Sequence, residues 1–265
     1  MKKNLLMISS CAIITLMISF NAQAQVFSTQ NSSGIKTKAA TASKNTSTSS
    51  SSNKASGNGV SISSLTNGDM SKGLKDALEL GITNATNDLS AMDGFYKNPT
   101  VKILFPPEVQ DVEKKLRALG MGNLVDDAIL KMNRAAEGAT SQAVPILFDA
   151  VGSITVTDAA GIVTGGNTSA TQFLKRKSTV PLSNSFTPIV EQSLNQTGAT
   201  VAWKTVFDAY NKIPFIKPVN SNLTNYVTEK TIDALFTTIG EEEIKIRKNP
   251  GQQGSNMIQK VFGAK

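Results

Sequence analysis

Catalysis by this sequence must rest on Asp, Glu, Lys, Tyr, Ser or Thr, or on a cation held by oxygen ligands, since it contains no histidine and its single cysteine is Cys11. Two carboxylates held at a set separation are sufficient to cleave a glycosidic bond. The candidates for such a pair are Asp93, Glu137, Asp149 and Glu242. Their positions along the chain do not bring any two of them together, so a carboxylate-based hydrolase acting on an envelope polymer is the alternative hypothesis.

The missing residue types exclude several classes of site. Zinc sites built from cysteine and histidine, the Ser-His-Asp triad and the Cys-His dyad all require side chains that the chain lacks. The segment 68–75 approaches a phosphate-binding loop, but Leu74 follows Gly73 where that motif needs lysine and a hydroxyl residue. We therefore expect no cofactor and no metal site.

Three residues are candidates for binding. Arg134 lies three residues before Glu137 on a predicted helix, where the two form either a buried ion pair that shapes a pocket or an ordinary surface pair, which is favoured. Trp203 belongs to an aromatic helix face that suits either core packing or an apolar ligand groove. Phe215 lies in an apolar loop at 213–216, which is typical of a lid or a contact patch.

A run of charge near the end of the helical region combines Glu241, Glu242 and Glu243 with Lys245 and Arg247. Spacings of four predict the ion pairs Glu241–Lys245 and Glu243–Arg247 on a helix. The favoured interpretation is a solvated helix end. The alternative is that one of these three glutamates faces inward and acts as a general acid.

The N-terminus has the pattern of a secretory signal peptide. Lys2 and Lys3 precede an uncharged apolar run at 5–20, and Ala22 and Ala24 form a small-x-small cleavage site. We expect residues 1–24 to be the signal, with cleavage near Ala24–Gln25 and a periplasmic or secreted product. Residues 25–59 are rich in Ser, Thr, Asn and Lys, which predicts a disordered linker.

The net charge of +7 is misleading as a sign of a polyanion partner. From residue 60 onward the chain carries 21 basic and 20 acidic side chains, so its excess charge lies in the leader. A nucleic-acid-binding domain concentrates basic residues on its folded part. We therefore expect no nucleic-acid partner, and no later segment is apolar enough to predict a transmembrane helix in the mature chain.

Apolar residues recur at helical spacing through residues 60–250, which predicts an all-α single domain of about eight to nine short helices. We place helix boundaries at Gly138 and near Pro181, because glycine and proline disfavour helix interiors. The segment 101–105 is the one strand candidate. Residues 251–265 are expected to be a polar tail with one apolar cluster, around Phe262, that docks on the domain or on a partner.

Several strings in fixed order resemble a known family. The sharpest is Met132-Asn133-Arg134-Ala135-Ala136-Glu137, and others include Asp93-Gly94-Phe95, Gly165-Gly166-Asn167 and Tyr226-Val227-Thr228-Glu229-Lys230. Together they resemble the bacterial exported proteins of domain-of-unknown-function family 4197 (DUF4197), over roughly residues 61–250. The resemblance implies export and one helical domain, and it implies no activity.

The leading hypothesis is a non-catalytic helical module that binds an envelope protein or an apolar ligand. The missing catalytic residue types, the near-neutral domain and the long leader favour it. A purely structural envelope protein is the third hypothesis, after the hydrolase.

Overall fold

The computed structural model describes residues 64–215, 222–253 and 255–264. The predicted signal peptide and linker lie outside these residues. The described residues form nine α-helices and no strand, which confirms the all-α prediction. The helices are α1 (Asn67–Ser90), α2 (Gln110–Ala118), α3 (Gly122–Thr140), α4 (Val144–Gly152), α5 (Val156–Val163), α6 (Ser169–Gln196), α7 (Ala199–Asn211), α8 (Leu223–Lys248) and α9 (Asn256–Phe262).

Helix α1 begins with a capping box. The Thr66 side chain accepts a hydrogen bond from the Asp69 backbone N–H, and the Asp69 carboxylate accepts one from the Thr66 N–H. This reciprocal arrangement satisfies two backbone donors that the first turn leaves free. The helix then buries a stripe of apolar residues at spacings of three and four, including Leu74, Ile82 and Leu89.

The three longest helices, α1, α6 and α8, build the centre of the molecule together with α3. Helix α8 packs against both α1 and α6, and α3 packs against α6 and α7. The largest fully buried side chains come from several of these elements and include Phe95, Phe186, Leu74, Met132 and Leu194. One continuous core therefore connects nearly all of the helices.

Helix α6 corrects the prediction of a boundary near Pro181. It continues through both Pro181 and Pro188, so two expected helices are one. Each proline removes a hydrogen bond to the carbonyl four residues earlier, here on Lys177 and Asn184, and both of these residues are exposed. Water can satisfy these carbonyls, while the apolar residues between and beyond the prolines, among them Phe186, stay buried.

The segment 101–105, the one strand candidate, forms no strand: it begins in a turn, continues without regular secondary structure and pairs with no strand in the described chain. The Asn133 side chain takes the place of a partner strand. Its Oδ1 accepts from the Ile103 N–H at 2.9 Å, and its Nδ2 donates to the Ile103 carbonyl at 2.8 Å. Helix α3 also continues past Gly138, where a break was expected, to Thr140.

Helix α9 lies within residues 251–265, for which a polar tail is expected. It packs against α1 and buries Ile258 and Val261. The sequence left open whether its apolar cluster docks on the domain or on a partner, and in the structure the cluster docks on the domain. The contact is close at Gly73 of α1, where an added Cβ would lie 2.5 Å from Val261 Cγ2.

Among the described residues, no single helix has both the length and the apolar character needed to cross a membrane. The segments 122–152 and 156–163 pass that test only when they are taken together across a bend of 103°.

Candidate functional site

Three of the candidate residues meet at the junction of α3 and the loop that follows α1. The Arg134 guanidinium lies between two carboxylates, with Nη1 donating to Glu137 Oε2 and Nη2 donating to Asp93 Oδ1, each at 2.6 Å. The Glu137 Oε1 atom accepts from the backbone N–H groups of Phe95 and Tyr96 at 3.1 and 3.2 Å. The Arg134–Glu137 pair is therefore part of a partly buried network, in which Glu137 is the buried member, and not an ordinary surface pair.

This network fits a structural clamp better than an acid pair. Every oxygen of Glu137 and Asp93 accepts at least one hydrogen bond, since Lys97 Nζ lies 2.7 Å from Asp93 Oδ2. Lys97, and after it Arg134, hold the pKa of Asp93 below its ordinary value. A general acid in glycoside cleavage needs a raised pKa. The backbone of Asp93 has φ 70°, a left-handed conformation that aspartate tolerates and that turns the chain toward Arg134.

The other two candidate carboxylates lie on different elements. Glu242 on α8 is buried, where its Oε2 accepts from Asn84 Nδ2 at 3.0 Å and its Oε1 pairs with Lys245 at 2.5 Å. The hydrogen bond to Glu242 raises the pKa of Lys245. Asp149 is exposed on α4 and belongs to none of the ion pairs found in the described chain. The structure thus brings together Asp93 and Glu137, with Arg134 between them.

Glu243 and Arg247 on α8 join two other helix ends. The Glu243 carboxylate accepts from the N–H groups of Ala170 and Thr171 in the first turn of α6, at 3.0 and 2.7 Å. The Arg247 guanidinium donates to the carbonyls of Ile162 and Val163 at the end of α5, at 2.9 and 3.0 Å. Each charge opposes the partial charge of the helix end that it caps. The predicted Glu243–Arg247 pair is present, but the prediction of a solvated helix end is wrong, because Glu242 and Glu243 are both buried.

The two aromatic candidates differ in environment. Trp203 is buried, with its ring 5.0 Å from that of Phe105 and 4.9 Å from that of Phe207. It therefore serves core packing, and not an apolar ligand groove. Phe215 is fully exposed and has φ 65°.

The apolar cavity between α1, α8 and α9 is too small for an organic ligand. Its lining includes Leu74, Leu78, Ile246 and Phe262, and its volume is about 10 Å³. A single water needs about that much space. In this conformation the cavity does not serve as the expected apolar binding site.

A larger opening of about 470 Å³ lies between α6 and α8, and all but one of its lining residues have polar side chains. This volume is within the range of ligand sites in proteins. Four residues at spacings of four form the α6 wall, because such positions share one helix face. They are Lys175, Thr179, Ser183 and Thr187. The α8 wall consists of Asn225, Thr228, Glu229, Ile232 and Asp233. We call this opening the α6–α8 groove.

The hydroxyl groups on the α6 wall are of two kinds. Thr179 and Thr187 donate to the carbonyls of Lys175 and Ser183, four residues earlier, at 2.6 and 2.7 Å. Their oxygens keep lone pairs that can accept from a ligand. The Ser183 hydroxyl makes no hydrogen bond within the described part of the molecule, so it can both donate and accept.

Thr228 is the unusual member of the groove. It is 3% exposed, and its Oγ1 is the buried side-chain polar atom that lacks a hydrogen-bond partner among the described residues. The buried helical threonines Thr86, Thr140 and Thr231 all donate to the carbonyl four residues earlier. An unsatisfied buried hydroxyl costs about 1–3 kcal/mol. Because threonine has two accessible χ1 rotamers in helices, a rotation can turn this hydroxyl toward a ligand.

The charges of the groove nearly balance. Lys175 Nζ lies 3.2 Å from Asp233 Oδ1, so these two side chains neutralise each other. Glu229 is exposed and forms no ion pair with the described residues. The lining therefore lacks the unpaired cations that a phosphate or carboxylate ligand requires.

A second opening of about 270 Å³ adjoins the groove, since Asp233 lines both. It lies between α8 and the segment 100–104. Tyr226 spans it, with its hydroxyl donating to the Leu104 carbonyl at 2.8 Å, and burial raises the pKa of this hydroxyl to about 12. The neutral phenol therefore persists as a donor across the physiological pH range.

No cluster of three or more acidic side chains suited to a metal ion occurs among the described residues. The α6–α8 groove is a candidate site that the sequence did not predict. The spacing of Thr179, Ser183 and Thr187 is visible in the sequence as a polar helix face, but the unpaired hydroxyl of Thr228 is not.

Comparison with known proteins gives one match and two negative results. The model of the family described as "Protein of unknown function (DUF4197)" matches residues 64–263. No curated protein and no solved structure matches the chain.

Proposed function

This chain belongs to the DUF4197 family, and because that is a family of unknown function, we propose a function from the geometry of the chain itself. The protein is an exported, non-catalytic binding module of the cell envelope, and its ligand lies in the α6–α8 groove. The observation that carries this proposal is the buried, unpaired hydroxyl of Thr228 on the wall of a 470 Å³ opening.

Two features support binding without catalysis. The groove contains the carboxylates Glu229 and Asp233, but Asp233 is paired with Lys175 and Glu229 is exposed. Neither lies in the closed apolar site that is typical of a catalytic acid. The most buried carboxylates, Glu137, Glu242 and Glu243, are engaged by hydrogen bonds that hold the fold together.

Export is supported by the N-terminal sequence alone. The basic start, the apolar run and the small-x-small site are typical of a signal that is removed during secretion. A chain delivered in this way works outside the cytoplasm, where envelope polymers and their fragments are the available ligands. N-terminal sequencing of the exported protein tests this part, and a mature chain beginning at Met1 would contradict it.

Native mass spectrometry of the exported full-length protein tests the binding function. We expect a retained adduct on the wild-type chain and its loss in Ser183→Tyr, because tyrosine at the centre of the α6 wall fills the groove. Ser185→Tyr is the matched control, since Ser185 lies two residues away on the exposed side of the same helix. A bare wild-type monomer, or an adduct kept by Ser183→Tyr, would contradict the proposal.

A further inference from the structure

The α6–α8 groove has features that identify the chemistry of its ligand. We propose that it binds a neutral oligosaccharide chain, an inference that rests on the proposed binding function.

The polar groups of the groove match a ligand that both donates and accepts hydrogen bonds. Ser183 and Thr228 carry hydroxyls without a partner among the described residues, while Thr179 and Thr187 keep only acceptor capacity. Asn225 adds an amide that has one acceptor oxygen and a donor NH₂ group. Sugar hydroxyls satisfy such a mixed set, because each can donate one bond and accept others.

The charge of the groove favours a neutral chain. Its only cation, Lys175, is paired with Asp233, and Glu229 would repel an anionic ligand. An acidic polysaccharide or a phosphorylated ligand is therefore disfavoured. Binding of a neutral chain should also change little with ionic strength, since no net charge is screened.

The hydroxyls of the α6 wall follow one another along one ridge of the helix. Positions four apart on an α-helix are separated by about 6 Å along its axis, so Thr179, Ser183 and Thr187 repeat at a distance close to the length of one sugar ring in an extended chain. The opening beside Tyr226 shares the lining residue Asp233 with the groove, but Lys102 and Lys230 line it, so we assign the neutral chain to the groove alone. An extended chain fits this row better than a coiled one.

Two peptide-binding modes lack the features that they need. An amphipathic helix requires several apolar anchor sites, and Ile232 is the one aliphatic residue that lines the groove. Strand addition requires an exposed sheet edge, and the described residues form no strand. No aromatic ring lines the groove for stacking, so hydrogen bonds to its polar side chains carry the affinity.

The test is saturation-transfer NMR of the exported mature protein with fully N-acetylated chitohexaose (chitohexaose below), a neutral and extended oligosaccharide. Maltohexaose, which coils, is the comparison ligand. We expect saturable transfer from wild type to chitohexaose, at least ten-fold weaker transfer in Ser183→Tyr, and unchanged transfer in Ser185→Tyr. Between about 0.05 M and about 0.5 M salt the signal should be constant.

The substitution Ser183→Ala covers the case in which Ser183→Tyr does not fold. It removes the hydroxyl without adding volume, and we expect about five-fold weaker binding, with Ser185→Ala unchanged. Equal transfer from wild type and both Ser183 variants would overturn the site. Equal transfer to chitohexaose and maltohexaose would overturn the preference for an extended chain.

The outcome also separates this inference from the proposed function. If no oligosaccharide binds while mass spectrometry shows a Ser183-dependent adduct, the groove is a binding site and the ligand class is wrong. If oligosaccharide binding and the adduct are both absent, both proposals fail.

Discussion

Glu243 and Arg247 lie one turn apart on α8, and their 2.8 Å ion pair caps two helices to which neither residue belongs. The Glu243 carboxylate accepts hydrogen bonds from N–H groups at the N-terminus of α6. The Arg247 guanidinium donates to carbonyl groups at the C-terminus of α5. The Arg247 side chain also lies over the ring of Phe262, with 5.0 Å to its centroid. One ion pair thus connects α5, α6, α8 and α9.

Removing Glu243 should be strongly destabilising. In Glu243→Ala, Arg247 loses its partner while its side chain remains 11% exposed, and two N–H groups of α6 lose their acceptor. Breaking such a buried pair costs about 3–5 kcal/mol, which urea unfolding monitored by circular dichroism measures. Glu241→Ala is the control, since Glu241 is exposed on the same helix and should change stability by about 0.5 kcal/mol or less. Equal losses in the two variants would contradict the capping role.

The ion pairs of Asp93 predict a pH dependence. Its pKa in the folded protein is below the ordinary 3.8, so its contribution to stability is complete above that value and is lost as the pH falls through the folded pKa. Asp93→Asn should therefore be less stable than wild type at pH near 7, and the difference should shrink below pH 3.8. Asparagine keeps the left-handed backbone accessible, so the substitution tests the charge.

Denaturant unfolding across the acid range measures this difference. Asp149→Asn is the control, because Asp149 is exposed and its substitution should add no pH dependence. If the difference in unfolding free energy between wild type and Asp93→Asn is the same at all pH values, the ion pairs of Asp93 are not its origin.

The close contact between α1 and α9 predicts opposite effects for two glycine substitutions. In Gly73→Ala the new Cβ meets Val261 Cγ2 at 2.5 Å and the Met257 carbonyl oxygen at 3.0 Å, so α9 must move. Overpacking of this kind costs about 1–3 kcal/mol, and hydrogen exchange should increase in 256–262. Gly138→Ala meets nothing within 4 Å on α3 and should stabilise by about 0.5–1 kcal/mol. A neutral Gly73→Ala would argue against this packing of α9.

The unpaired hydroxyl of Thr228 predicts a stabilising substitution. Thr228→Val replaces it with a methyl group of the same shape, which should raise the unfolding free energy of the ligand-free protein by about 1 kcal/mol. Thr231→Val is the matched control three residues later on α8. Its hydroxyl donates to the Val227 carbonyl at 2.7 Å, so its loss should lower stability by a similar amount. A loss of stability in Thr228→Val would mean that the hydroxyl has a partner in the free protein.

Periodicity predicted the class of fold and most helix locations. Leu74, Leu78 and Ile82 lie on the buried face of α1, as their spacing indicates. The errors occurred where tertiary packing outweighed local propensity. Pro181 stays inside α6 because the packing of the buried face outweighs the lost hydrogen bond, whose carbonyl is at an exposed residue.

The candidate sites were harder to predict than the helices. The sequence placed Arg134 beside Glu137 by spacing, but Asp93 joins them only through the loop after α1. Sequence alone could not separate a buried glutamate from a solvated one, and Glu241, Glu242 and Glu243 differ in burial while being neighbours. The groove lies between α6 and α8, whose lining residues are at 175–187 and 225–233 and are separated in the chain by α7, so no local pattern reveals it.

By itself, the sequence determined the helical class, the near-neutral helical region and the absence of histidine chemistry, because composition and periodicity are local properties. The tertiary structure decided which charged side chains hold separate helices together and that α9 docks on α1. It also decided that Thr228 lines an opening and that its hydroxyl has no hydrogen-bond partner among the described residues. Burial and hydrogen-bond satisfaction depend on which distant segments meet, and that depends on how all of the helices pack together.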